Sequence, residues 1–260
     1  MHNELKIVGI QADLIWENTT QNIAFFEKKI NNLENKVDLI VLPEMFTSGF
    51  TMNPKNVAEN MDGFSVSWML RIAIEKQIAI CGSLVISENK NFYNRLVFVH
   101  PSGKIETYDK RHSFTLAGEN KIYTSGTEKR IVNYKGWKIC PLICYDLRFP
   151  VWGRNTENYD LLIYMANWPV TRIKAWDTLL KARSIENMCY TVGVNRTGKD
   201  ANDFDYSGNS LIVNYLGEQL SSLNKNEVGI ITATLYKPAQ EKIRKKLGFL
   251  NDKDSFKIEL

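Results

Sequence analysis

Apolar positions recur along this chain in two rhythms, one of period two and one of three to four. Strand-like alternation or a short apolar run occupies residues 6–10, 37–42, 77–86, 92–99, 104–110, 129–134, 137–144, 159–166, 189–194, 210–215 and 228–236. Runs of this length, rich in Val, Ile, Tyr and Phe and bounded by turn residues, predict strands. Pro101-Ser102-Gly103, Lys135-Gly136 and Leu216-Gly217 supply turns between several of them. The longer period predicts helices over 20–35 (Ile23, Phe26, Ile30, Leu33), 65–76 (Trp68, Met69, Ile72, Ala73) and 173–188 (Trp176, Leu179, Leu180, Ala182, Ile185, Met188). Helices fall between strands early and late, with a run of strands in the middle. The order predicts an α/β protein of two mixed sheets packed face to face with helices outside. No linker, repeat or low-complexity stretch divides residues 1–236, and a basic helix and tail, 237–260, follow, expected to pack on the same domain or on a partner.

Composition changes this picture little. At 260 residues, 44% hydrophobic and 24% charged, the chain is long enough for a substantial core without staples. The longest apolar run, Leu161 to Ala166, is far short of the ~18 residues that suggest a membrane span. The start, Met1-His2-Asn3-Glu4, lacks the charged and apolar regions of a signal peptide, so a cytoplasmic protein is expected. The net charge of +4 is concentrated: residues 237–260 hold seven Lys/Arg against four Asp/Glu, and the rest is near neutral. Without a basic stripe interleaved with aromatics, a nucleic-acid partner is not expected.

Cys81, Cys140, Cys144 and Cys189 form no C-x-x-C pair, and His2, His100 and His112 show no zinc-type spacing, so neither a metal nor another cofactor is expected. In apolar strand sequence a free thiol is ordinarily a small buried hydrophobe, and that reading suits Cys81, Cys140 and Cys189.

Cys144 differs because three strands run straight into reactive side chains. Leu39 to Pro43 delivers Glu44, Ile105 to Asp109 delivers Lys110, and Ile139 to Ile143 delivers Cys144. Carboxyl ends of strands are the favoured ligand sites of open α/β sheets. Singly, a strand-end Glu or Lys is an ordinary solvated charge. Together they are complementary: a thiol needs a base or a nearby cation to become a nucleophile, and an ammonium can stabilise the oxyanion that follows.

The blocks LPEMF (42–46), YDKRH (108–112) and ICYDLRFP (143–150) resemble the three signature segments of the nitrilase superfamily, the carbon–nitrogen hydrolases. The resemblance runs through nearly the whole chain. It implies a four-layer αββα sandwich, a dimer formed across the helical face that carries the cysteine segment, and a Glu–Lys–Cys triad at Glu44, Lys110 and Cys144. A second glutamate of the family falls at Glu119, in Gly118-Glu119-Asn120 followed by Tyr123 to Gly126. Ser113 stands where the family often has an apolar residue, which bears on local packing only. The strings LPEMFTSGF (42–50), CYDLRFPVW (144–152), ANWP (166–169) and 205–210 resemble the omega-amidase branch. Those enzymes cleave the terminal amide of short 2-oxo dicarboxylic acid monoamides such as 2-oxoglutaramate and 2-oxosuccinamate. The alternatives are another activity of the superfamily (carbamoyl-amine hydrolase, nitrilase, acyl transferase) and a non-catalytic binding protein.

In the amidase reading, the backbone N–H of Tyr145 joins Lys110 in the oxyanion site. A substrate carboxylate calls for a guanidinium, which can hold it through two hydrogen bonds. Arg172 is the leading candidate, with Arg148 and Arg196 behind it, although an Arg in such a place often pairs with a structural Asp, here Asp146. Trp168 and Phe46 are expected either as pocket walls or as core aromatics.

Overall fold

In the computed structural model, which describes residues 3–33 and 36–259, two six-stranded sheets stack face to face. The first holds β1 (Glu4–Gln11), β2 (Leu39–Val41), β3 (Ala79–Glu88), β4 (Asn91–Val99) and β5 (Ile105–Asp109). The second holds β6 (Val132–Tyr134), β7 (Trp137–Ile143), β8 (Leu161–Ala166) and β9 (Tyr190–Asn195). A small hairpin of β10 (Thr197–Lys199) and β11 (Asp205–Ser207) stands apart. Next, β12 (Leu211–Val213) and β13 (Gln219–Ser222) extend the second sheet, and β14 (Gly229–Tyr236) returns to the first. The strand orders are β14-β1-β2-β3-β4-β5 and β13-β12-β9-β8-β7-β6.

Period two explains the layering. Leu5 and Ile7 of β1, with Val41, Cys81 and Phe98, face a core shared with Ile139 and Leu142 of the second sheet. Val8, Ile10, Ile40 and Ile80 belong instead to a core with Ile23, Phe26 and Ile30 of α1 (Thr19–Asn31). Val66, Trp68, Met69 and Ile72 of α3 (Phe64–Lys76) complete that outer core, α2 (Pro54–Val57) being a single turn between the two helices. Beyond the second sheet lies α5 (Ile173–Asn187), preceded by the single turn α4 (Pro150–Gly153). Trp176 and Leu180 of α5 press on β9 at Gly193, where a Cβ would lie 2.4 Å from Leu180 Cδ1, so only glycine lets the helix approach. The result is the expected αββα sandwich.

The helices form where the period places them, with shifted ends. Asn18 caps α1, its side chain accepting from the Gln21 N–H at 3.1 Å, and α1 stops at Asn31. The last two residues of the expected helix, 34 and 35, lie outside the described residues. Ile185 departs from the expected stripe of α5: it is 53% exposed. The basic helix expected within residues 237–260 forms as α6 (Lys237–Leu247). It docks on the same chain through polar groups. Gln240 Nε2 donates to the Asp160 carbonyl at 2.8 Å and Arg244 Nε to the Met188 carbonyl at 2.7 Å, which satisfies an acceptor left open at the end of α5. The hairpin β10–β11 and strand β13 are absent from the sequence reading. The largely exposed Gln-Leu-Ser-Ser of β13 has no apolar face to signal it.

Candidate active site

Because β4 is antiparallel to both β3 and β5, and β3 is parallel to β2, strands β2, β3 and β5 all run the same way. In the second sheet β7 and β8 are parallel. The carboxyl ends of β2, β5, β7 and β8 therefore deliver Glu44, Lys110, Cys144 and Asn167 to one place. The structure brings together the four residues singled out in the sequence: Lys110 Nζ lies 2.8 Å from Glu44 Oε1 and 2.9 Å from Glu119 Oε2, and Lys110 and Cys144 line the same pocket.

Each is held by local structure. Glu44 precedes Met45, which has a positive φ of 43°, and Ser83 Oγ accepts the Met45 N–H at 2.8 Å. Asn22 of α1 ties down the following loop by donating to the Thr47 carbonyl at 2.9 Å. Cys144 has φ 43° and opens the short 3₁₀ turn Cys144–Arg148. A non-glycine residue in this region costs about 1–3 kcal/mol and persists only where its surroundings impose it. Here the fully buried Asp146 imposes it. Its carboxylate accepts from Ile143 N (3.0 Å), Tyr108 Oη (2.7 Å) and His112 N (3.0 Å), and His112 Nδ1 lies 2.8 Å away. The anticipated pairing of Asp146 with an arginine does not occur; Asp146 instead welds the cysteine turn to the lysine loop. Tyr145 stands at the start of that turn, where a backbone N–H has no acceptor within the turn itself.

Glu119 sits on its own 3₁₀ turn, Glu119–Lys121, and accepts from the Phe114 N–H at 2.5 Å. The segment closes because Gly126 N donates to the Lys110 carbonyl at 2.9 Å. A Cβ on Gly126 would sit 2.2 Å from the Asp109 carbonyl oxygen, so the approach requires glycine.

The charges explain the resting state. Burial alone would lower the Lys110 pKa, but Glu119 and Glu44 outweigh it and hold the ammonium above its ordinary range. Burial pushes Glu119 upward, with Lys110 opposing and Glu44 adding to the rise. Burial likewise pushes the Cys144 thiol well up, Glu44 adds to it, and Lys110 pulls the other way. A thiolate beside two carboxylates and one ammonium would raise the buried charge from −1 to −2, so the thiol rests protonated. Passing its proton to Glu44 keeps the total at −1. An arrangement of this kind is suited to forming a nucleophile by proton transfer to a neighbouring carboxylate, since the thiol itself has no lowered pKa.

The cavity over Cys144 measures about 330 Å³. Trp168, Arg148 and Arg172 line it as expected, with Phe50, Phe114 and Tyr206. The Arg148 guanidinium lies 5.0 Å from the Trp168 ring centre and that of Arg172 lies 4.8 Å from Phe114. Neither has a carboxylate partner among the described residues. Trp168 supports both, since its Nε1 donates to the Arg172 carbonyl at 2.8 Å.

Two expected binding residues lie elsewhere. Phe46 is fully buried in the outer core between Phe26 and Trp68, at ring distances of 5.5 and 5.9 Å, and does not line the cavity. Arg196 is also fully buried; its Nη2 donates to Asp13 Oδ1, the Leu14 carbonyl and the Lys199 carbonyl, each at 3.1 Å. Nη2 thus ties residues 13 and 14 to the hairpin, Nη1 is buried without a partner among the described residues, and the side chain does not line the pocket. Two residues went unnoticed in the sequence. Asn167 holds Glu44 through its N–H to Oε2 at 2.8 Å and its Nδ2 to the carbonyl at 2.6 Å. Asn94 donates to both glutamates. The available signal was a lone asparagine inside the apolar run of β4.

Among the described residues no group of three or more His, Cys, Asp or Glu side chains is disposed to hold a metal ion. The Lys110 ammonium fills the space between the two glutamates.

A family model described as carbon-nitrogen hydrolase matches residues 7–244. An omega-amidase of Escherichia coli (strain K12) is 40% identical over 254 residues, which is 98% of each chain. A 2-oxoglutaramate amidase of Bacillus subtilis is 32% identical over 94% of this chain and 95% of its own. Among solved structures, a CN-hydrolase superfamily protein of Xanthomonas campestris, described with an arsenic adduct in its active site, matches with TM-score 0.96 at 37% identity, covering 100% of both chains.

Proposed function

The chain belongs to the carbon–nitrogen hydrolase family, and on that premise we propose that it cleaves the terminal amide of short 2-oxo dicarboxylic acid monoamides, 2-oxoglutaramate foremost, to the acid and ammonia. One observation carries the choice of substrate: a single small cavity holds the Cys144 thiol and two guanidiniums, Arg148 and Arg172, that have no carboxylate partner among the described residues. The omega-amidase and 2-oxoglutaramate amidase relatives support the same reading.

In the proposed mechanism Glu44 takes the thiol proton as Cys144 Sγ attacks the amide carbon. Lys110 Nζ and the Tyr145 N–H stabilise the oxyanion. Glu44 then gives its proton to the amide nitrogen, ammonia leaves, and a thioester remains on Cys144. A water, deprotonated by Glu44, cleaves the thioester and returns the thiol and the acid. Glu119 orients Lys110 and the leaving nitrogen, and Arg172, with Arg148 beside it, holds the distal carboxylate.

Ammonia release measured across 2-oxoglutaramate, an uncharged amide of equal length, a carbamoyl amine and a nitrile tests the reading. Highest kcat/KM for 2-oxoglutaramate is the expected result. Preference for the uncharged amide would remove the substrate assignment and leave the amidase; preference for the carbamoyl amine or nitrile would replace it. Four unpaired thiols favour a reducing, cytoplasmic setting. Exposed Val151 and Ile185 on α4 and α5 favour a homodimer through that face, for which sedimentation should give twice 29.9 kDa.

A further inference from the structure

Asn94 lies on β4 with its side chain fully among the catalytic charges, 1% exposed. Its Nδ2 donates to Glu44 Oε1 at 2.8 Å and to Glu119 Oε1 at 3.2 Å. Lys110 Nζ donates to the same two oxygens at 2.8 and 3.0 Å. Two donor nitrogens and two acceptor oxygens thus alternate around a closed ring. The Asn94 carbonyl completes its grip on the group by accepting the Lys110 N–H at 3.0 Å.

The direction of the asparagine amide is set from behind. The Ser83 hydroxyl accepts the Met45 N–H at 2.8 Å, so its own proton is free for Asn94 Oδ1, 2.9 Å away. With Oδ1 committed as acceptor, Nδ2 must face the carboxylates, and both of its protons are used. Two neighbouring buried carboxylates otherwise tend to share one proton, which raises the apparent pKa of one of them. A neutral donor between them favours the ionised form of both without adding charge. It also occupies Oε1 of Glu44, leaving Oε2, which takes the Asn167 N–H at 2.8 Å and only a long contact from Asn167 Nδ2 at 3.5 Å, as the oxygen that faces the thiol proton.

We propose that Asn94, oriented by Ser83, is a positioning residue that keeps Glu44 ionised and turned toward Cys144, so that Glu44 rather than Glu119 serves as the base. This rests on the reading of Glu44 as the base. The other titratable groups facing the pair are Lys110, Tyr123 and Cys144, with Tyr206 beyond the thiol. All four have pKa values pushed upward.

The test is the pH profile of kcat for Asn94→Leu and Ser83→Ala on 2-oxoglutaramate, with thermal melting in parallel. A hydrogen bond to a charged group corresponds to about one to two pH units, so the ascending limb of Asn94→Leu should move up by about one unit or more. At neutral pH its kcat should drop by at least about tenfold with KM nearly unchanged. Ser83→Ala should move the limb the same way by less, and serves alone if Asn94→Leu does not fold. A lowered melting point with an unmoved limb in the folded variants would make Asn94 merely structural and overturn the proposal. Glu44→Gln run alongside separates the failures. If that variant keeps wild-type turnover, the base assignment falls and takes this proposal with it; if it is inactive while the limb stays put, only the role of Asn94 falls.

Discussion

At the floor of the pocket Lys110, Glu44 and Glu119 satisfy one another at 2.8–3.0 Å and are all but inaccessible, whereas at its mouth Arg148 and Arg172 rest on aromatic rings with no carboxylate partner among the described residues. The floor is built at a desolvation cost that only close pairing and saturated hydrogen bonds can offset. The charges placed there are committed to the reacting amide and do not reach a distal carboxylate. The guanidiniums at the mouth keep much of their hydration and lie over the aromatic rings that wall the pocket, an arrangement that leaves their donors for an incoming anion. Chemistry and recognition are thus divided by burial, and substitutions in the two regions should act on different kinetic constants.

The largest effect is expected at the floor. Glu44→Gln should lower kcat by ~10²–10⁴ with little change in KM, measured as ammonia release. The same substitution removes the base to which the buried, upward-shifted Cys144 thiol would pass its proton, so alkylation by a small electrophile at pH 8 should slow. Unchanged alkylation together with lost turnover would mean that Glu44 shapes the site instead of taking the thiol proton.

At the mouth, Arg172→Met should raise KM for 2-oxoglutaramate by about tenfold, one hydrogen-bonded charge being worth roughly that much, and leave an uncharged amide unaffected. Equal damage to both substrates would erase the division between floor and mouth, and would shift the clamp to Arg148.

The smallest effect concerns stability. The folded-state pKa of the Cys144 thiol lies above the unfolded value, so its contribution is fully present below ~8.5 and is lost as pH rises from there toward the raised value. Cys144→Ala, which is expected to have no turnover, should therefore lose melting temperature less steeply than the wild type above pH 8.5. Parallel curves would show that the thiol does not titrate differently in the two states.

Much of the floor was legible in the chain. Glu44, Lys110 and Cys144 each follow an apolar strand, and sheet registry carries strand ends to a common edge with little freedom. Glu119 follows from its segment's resemblance, since nothing in a 3₁₀ turn announces burial. The mouth was legible only in part. Arg172 and Arg148 reach the pocket, but Arg196, equally close to a motif, is fully buried with Asp13 and the carbonyls of residues 14 and 199, partners from elsewhere in the fold. Phe46 likewise follows Glu44 by two residues yet fills the outer core.

The sequence by itself determined the long helices and all the strands but β10, β11 and β13, that they layer as two sheets with helices outside, and which three residues stand at strand ends, because side-chain period and strand termini are local properties. Only the tertiary structure decided that Asp146 locks the cysteine turn to His112 and Tyr108, that Asn94 and Asn167 hold the glutamates, and that Arg196 serves the scaffold while Arg172 faces the cavity. Those outcomes depend on hydrogen-bond partners as many as 183 residues apart, as Asp13 and Arg196 are, and on which donors burial leaves unspent.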